Sequence, residues 1–140
     1  MMAAFPQVYL VEVVETQGRL FDLVAQEYPN KDTEDFIRAY MSSKTRKAID
    51  ESQAYVMTLN VKDLLDFFIK YDNYTLKSGK ALTGFMPAWI GEFYAYYQWY
   101  YDISSAELIQ KLPLVSMRQI YHGLHDLELP LAVQKVGNIL

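Results

Sequence analysis

Between Phe85 and Asp102 the chain gathers two tryptophans, two phenylalanines and five tyrosines into one segment, and this segment restricts the fold more than any other. Pro87 suits a first helical turn, where its missing N–H would have had no intrahelical acceptor. Wound at about 100° per residue from Ala88, the segment separates into two faces. Trp89, Ile90, Phe93, Tyr94, Tyr96, Tyr97, Tyr100 and Tyr101 fall on a broad arc, while Ala88, Gly91, Glu92, Ala95, Gln98, Trp99 and Asp102 share the narrower remainder. So wide an aromatic arc has to be covered from several directions. The expectation is a central helix, about residues 87–102, with the rest of the chain wrapped around it.

The remaining segments are helical in pattern and mostly short. Leu10, Val13, Val14, Gln17, Leu20, Phe21 and Val24 keep a helical period up to Tyr28-Pro29, although the β-branched run Val8–Val14 is compatible with a strand and Gly18 with a break. Asp32-Thr33-Glu34-Asp35 is an acidic helix start, followed by the apolar positions Phe36, Ile37, Tyr40 and Met41. Lys44–Glu51 adds a turn or two that reaches the core mainly through Ala48 and Ile49, and 53–59 is ambiguous, with an extended reading open. Asn60 caps a helix through about Tyr71, and Asp72–Gly84 reads as a loop. Ser104-Ser105-Ala106-Glu107 is a capping box flanked by Ile103 and Leu108 at hydrophobic-staple spacing, the most specific local signal in the chain. Leu112-Pro113 ends that helix; another follows from Leu114 to a stop at Gly123, and a last one spans Asp126–Val136 with Gly137 closing it. These elements predict an all-α, single-domain bundle over residues 1–140, with six to eight mostly short helices around the aromatic one.

Composition excludes several functions. With 51% hydrophobic and 21% charged residues the chain belongs among globular proteins. It contains no cysteine, so disulfides, thiolate catalysis and Cys-based zinc sites are excluded. The start, Met1 to Pro6, lacks a basic residue and an apolar run, and only nine uncharged residues lie between Glu92 and Asp102, far short of a membrane span. A cytoplasmic protein without membrane attachment is expected. The net charge of −4 argues against non-specific nucleic-acid binding.

Four constellations invite a functional reading. His122, His125, Asp126 and Glu128 bring imidazoles near carboxylates, as an acid/base enzyme or a metal site would, but Gly123 is expected to separate the rings, and a helix end with a turn explains them better. Residues 104–122 have the outline of a helix-turn-helix, with Ser116, Arg118 and Gln119 as the only base readers it offers. Arg38, Lys44, Arg46 and Lys47 occur without an acid between residues 36 and 49, forming a basic patch for an acidic partner surface or a phosphate backbone. Finally, Trp89, Phe93 and Tyr97 read as core. Five phenols on one helix exceed what a dry interior satisfies, so Tyr94, Tyr96 and Tyr101, at the edges of the arc, are expected to emerge as binding residues. The small-residue line Ala88-Gly91-Ala95 permits close approach of another helix, from the same chain or a second copy. No residue is assigned a catalytic or metal-ligating role, and no cofactor is implied.

Gly84-Phe85-Met86-Pro87-Ala88-Trp89-Ile90-Gly91, Phe93-Tyr94-Ala95-Tyr96, Gln98-Trp99, Ile103-Ser104-Ser105, Lys111-Leu112-Pro113 and Gly123-Leu124-His125-Asp126-Leu127 together resemble a family of small bacterial all-helical proteins of unknown function, some from toxin–antitoxin-like operons. The resemblance covers roughly the C-terminal half and brings no catalytic residues. It implies a partner-binding role, antitoxin-like. With the residue pattern, the expectation is a cytoplasmic protein–protein interaction module for which the chain itself offers Tyr94, Tyr96, Tyr101 and the patch Arg38, Lys44, Arg46 and Lys47 as contacts.

Overall fold

The computed structural model describes residues 2–140, and the fold it shows is all-helical. The described residues form nine α-helices: α1 Leu10–Glu27, α2 Thr33–Met41, α3 Lys44–Asp50, α4 Ala54–Met57, α5 Val61–Tyr71, α6 Met86–Tyr101, α7 Ser105–Lys111, α8 Leu114–Leu124 and α9 Leu129–Ile139. A short 3-10 turn, Gln7–Tyr9, leads into the first of them. The count exceeds the expected six to eight because residues 53–59, open to an extended reading, coil into the single turn α4. The β-branched run at 8–14 is helical, and α1 passes through Gly18 unbroken.

The sequence's N-cap signals are realised, although the Ser104–Glu107 box forms only its serine half. Asp32, Asn60 and Ser104 each accept the backbone N–H three residues on, at 3.0, 2.9 and 3.2 Å respectively. Ile103 and Leu108, the staple pair, are both buried. The expected stops at Gly123 and Gly137 are corrected, since α8 continues to Leu124 and α9 to Ile139. Left-handed residues beyond three other helices do that work instead, namely Ser52, Asn73 and Asp102, with φ of 58°, 52° and 51°.

Helix α6 lies at the centre, antiparallel to α1. Gly18 faces Ala88 and Glu92, Gly91 faces Gln17, and at the far end the Asp102 carboxylate accepts the N–H groups of Ala3 and Ala4 at 2.9 and 3.1 Å. The small-residue line of α6 therefore receives a helix of the same chain. A Cβ on Gly91 would stand 2.6 Å from the Gln17 carbonyl oxygen, so the two backbones meet only because that atom is missing. Around this pair α2 brings in Phe36 and Tyr40, which stack on each other and meet Phe21 of α1 edge-on, and α5 brings in Phe68, edge-on to both. The loop after α5 is latched to the start of α2, where Asp32 donates its N–H to the Lys77 carbonyl at 2.8 Å and the Tyr74 hydroxyl donates to Asp35 at 2.8 Å.

Candidate functional site

On the narrow face of α6, Gly91, Ala95 and Gln98 are buried, and a polar cluster lies beneath them. Arg46 of α3 is fully buried. Its Nε donates to Gln17 Oε1 of α1 at 2.8 Å, Nη1 to Asp50 at 2.6 Å, and Nη2 to Gln98 Oε1 of α6 at 2.7 Å. Gln98 in turn donates to Asp50, and Gln17 donates to the Gly91 carbonyl at 2.8 Å. The second Asp50 oxygen accepts the N–H of Ser105 at 3.1 Å. The Phe5 ring lies over the guanidinium, 5.7 Å away. The cation thus ties α1, α3 and α6 together, and Asp50 adds α7. Each guanidinium nitrogen is engaged, which is the condition for burying a charge at all.

This overturns part of the basic patch. Arg46 cannot contact a partner, because it is enclosed by Gln17, Asp50 and Gln98. Helix α3 reaches the core through Thr45, Arg46 and Asp50 as well as through Ala48 and Ile49. Arg38 pairs with Glu34 across one turn at 3.8 Å but stays exposed, and Lys44 and Lys47 are the other outward cations. Lys44 sits 5.2 Å from the Tyr71 ring centre, beside a surface row formed by Tyr55, Phe67 and Tyr71. On the helix pair α7–α8, Arg118 is spent on Glu34 at 3.1 Å.

The edge tyrosines divide. Tyr94 is corrected from surface to core: it is fully buried, and its hydroxyl donates to the Leu112 carbonyl at 2.7 Å, so the turn at Leu112-Pro113 supplies the acceptor its phenol needs. Burial holds that phenol well above the ordinary tyrosine range. Trp89, Phe93 and Tyr97 are buried as expected. Tyr96 is half-buried and Tyr101 exposed, and they belong to a continuous aromatic group. Tyr96 packs on Trp99 and Tyr100, with ring centres 5.4 and 6.3 Å away, and Tyr100 packs on Tyr101 at 4.9 Å. Tyr100 emerges more than either edge tyrosine singled out from the sequence, at 44% exposure. Because α1 runs antiparallel to α6, this aromatic group shares its end of the molecule with Val8 and Val11, which are 80% and 66% exposed. Acids lie near it, since Glu15 of α1 acts on the half-buried Glu92, two helical turns before Trp99. Desolvation raises the Glu92 carboxyl above its ordinary range, with Glu15 adding to the effect.

The histidines lie on one helix turn and are not separated by Gly123. His125 stacks on Tyr121 with ring centres 4.4 Å apart, and His122 meets the same ring edge-on. The His125 Nδ1–H donates to the Tyr121 carbonyl at 2.7 Å, and Nε2 faces Asp126 at 3.3 Å. Among the described residues no group of three or more metal-ligating side chains converges. Among the described residues no helix is long and apolar enough to cross a membrane.

Of the residues that matter most here, sequence reasoning passed over Gln17, Asp50 and Gln98. Their signals were present. Gln17 occupies an apolar position of the α1 period, Gln98 lies in a face of small residues, and Asp50 follows Arg46 by one turn. No protein-family model, curated protein or solved structure matches this chain.

Proposed function

We propose that this chain is a cytoplasmic protein–protein interaction module, antitoxin-like in working by docking, whose contact surface is the aromatic end of α6 together with the start of α1. The observation that carries the reading is the aromatic group of half-buried Tyr96 and Trp99 and exposed Tyr100 and Tyr101, at the end of the molecule that also holds the exposed Val8 and Val11. Large aromatic side chains with polar tips supply binding energy at low entropic cost, and hot spots are enriched in them. Glu15 and Glu92 give the patch an acidic border, which suits a partner protein with an apolar centre and a basic rim. The resemblance of the C-terminal half to toxin–antitoxin-like operon proteins favours the same class of function.

The test compares affinity capture from the native host by the wild-type chain and by Trp99→Ser/Tyr100→Ser, with helicity and melting temperature checked on both. The reading expects a stoichiometric partner, rich in Lys and Arg at its contact face, that the wild type retains and the double variant loses. An unchanged set of captured proteins, or a second copy of this chain as the sole occupant of the patch in light scattering, overturns it.

A further inference from the structure

A second feature stands apart from the aromatic patch. Between α1, α3, α4 and α5 lies a cleft of about 40 Å³, with Gln17, Tyr40 and Arg46 at its floor and Val13, Val56 and Leu64 among its walls. Met57 and Leu59, both half-buried, flank it towards solvent together with Glu12. A space of that size holds a few atoms, since one water needs roughly 10–15 Å³ on this measure.

The floor has hydrogen-bonding capacity that the protein leaves unused. Tyr40 is 1% exposed, yet its hydroxyl makes none of the side-chain hydrogen bonds among the described residues. No sealed side-chain nitrogen or oxygen among them lacks a partner, so the small area Tyr40 retains includes its hydroxyl, and the void it lines is this cleft. Burial keeps that phenol protonated far beyond neutral pH, so it is a donor. Beside it, Arg46 is wholly buried and commits Nε, Nη1 and Nη2 to Gln17, Asp50 and Gln98, so it brings positive charge to the floor but no free donor. The donor left free is the Tyr40 hydroxyl.

Charge decides what such a floor accepts. The Arg46 cation is already balanced by Asp50 at 2.6 Å, and Glu12 guards the entrance with a second negative charge. An anion gains little here and must pass a carboxylate. A neutral acceptor satisfies the Tyr40 hydroxyl without that cost, and the aliphatic walls favour an apolar body behind it. We propose that the cleft beside Tyr40 is a binding site for a small neutral molecule with a carbonyl-type hydrogen-bond acceptor at one end and a short apolar body.

Methyl-detected NMR titration of the full chain tests this with three probes: acetone, its shape-matched anion acetate, and xenon, which fills apolar space without accepting a hydrogen bond. The site predicts saturable shifts at Val13, Val56 and Leu64 with acetone, weaker ones with acetate, and a loss of acetone affinity of roughly fivefold in Tyr40→Phe, the worth of one ordinary hydrogen bond. Xenon binding should survive that substitution. Val56→Leu, which fills the space without touching the phenol, should weaken acetone and xenon alike. Non-saturating shifts in the wild type (water as the only occupant), equal acetone affinity in Tyr40→Phe, or acetate binding tighter than acetone each overturn the proposal.

Discussion

Arg46 and Asp50 stand one helical turn apart on α3 and form an ion pair of 2.6 Å from which solvent is almost wholly excluded. Neither side chain is stabilising on its own, because an isolated buried charge costs several kcal/mol; their value lies in the partners they share on α1, α6 and α7. Arg46→Met should therefore cost about 3–5 kcal/mol in chemical denaturation, the usual loss when one member of a buried pair is removed. Arg46→Lys should lose less, since an ammonium keeps Asp50 company but cannot fork towards both Gln17 and Gln98. In Arg46→Met/Asp50→Leu much of the loss should return, as no charge is then left unpaired. A single-variant cost below about 1 kcal/mol would show that the cluster is not what locks these helices.

Two glycines inside helices should respond in opposite directions. At Gly91 an added Cβ lands 2.6 Å from the Gln17 carbonyl oxygen and 2.8 Å from the Gly18 Cα, both backbone atoms that cannot swing aside. Gly91→Ala must push α1 from α6, and a loss of about 1–3 kcal/mol is expected from overpacking of this kind. A Cβ at Gly123 meets nothing within 4 Å, and the residue sits inside α8. Gly123→Ala should stabilise by about 0.5–1 kcal/mol through helix propensity and a less disordered unfolded chain. Thermal melts of the two variants beside wild type check both signs.

Glu92 makes the seam between α1 and α6 sensitive to pH. Its carboxyl is raised above the ordinary 4.5, first by desolvation and then by Glu15. The folded state thus prefers the protonated form more than the unfolded chain does. The sign follows: this group favours folding most when protonated, and the advantage is lost as pH rises from about 4.5 through its higher folded value. In Glu92→Gln that loss disappears, so the melting temperature of the variant should gain on wild type between about pH 4 and 7. The gain should stay under about 1 kcal/mol, because the side chain is only half-buried and Arg19 lies near Glu15 to screen it. A variant that loses ground on wild type over that range would refute the assignment.

How much of this was legible in the sequence depends on the range of the interactions. The caps at Asp32, Asn60 and Ser104 are read from residues three apart, and they hold in the structure. The central helix is likewise local, because its aromatic residues are contiguous. Arg46 was misplaced for the converse reason. In the sequence it sits between Thr45 and Lys47 in a basic run, and what buries it comes from Gln17 and Gln98, 29 and 52 residues away. Periodicity reports which face of a helix is apolar, not which polar side chain will find partners across the core. The glycine stops failed differently. Gly123 and Gly137 remain within helices, while Ser52, Asn73 and Asp102 take the left-handed turns usually ascribed to glycine.

The division among the α6 tyrosines yields the last prediction, and it separates stability from docking. Tyr94 and Tyr100 are six residues apart on one helix, yet the first is wholly enclosed and the second is 44% exposed. Tyr94→Phe removes a donor and strands the Leu112 carbonyl, so it should cost about 1–3 kcal/mol and leave partner capture intact wherever the protein remains folded. Tyr100→Ser touches no buried hydrogen bond and should change stability by at most about 0.5 kcal/mol, as surface substitutions do. Under the docking reading it should nevertheless weaken capture of the partner markedly. Measuring denaturation midpoints and partner affinity on the same two variants sets the two roles against each other. If Tyr94→Phe abolished binding at unchanged stability, or Tyr100→Ser unfolded the chain, the partition between core phenol and contact phenol would be wrong.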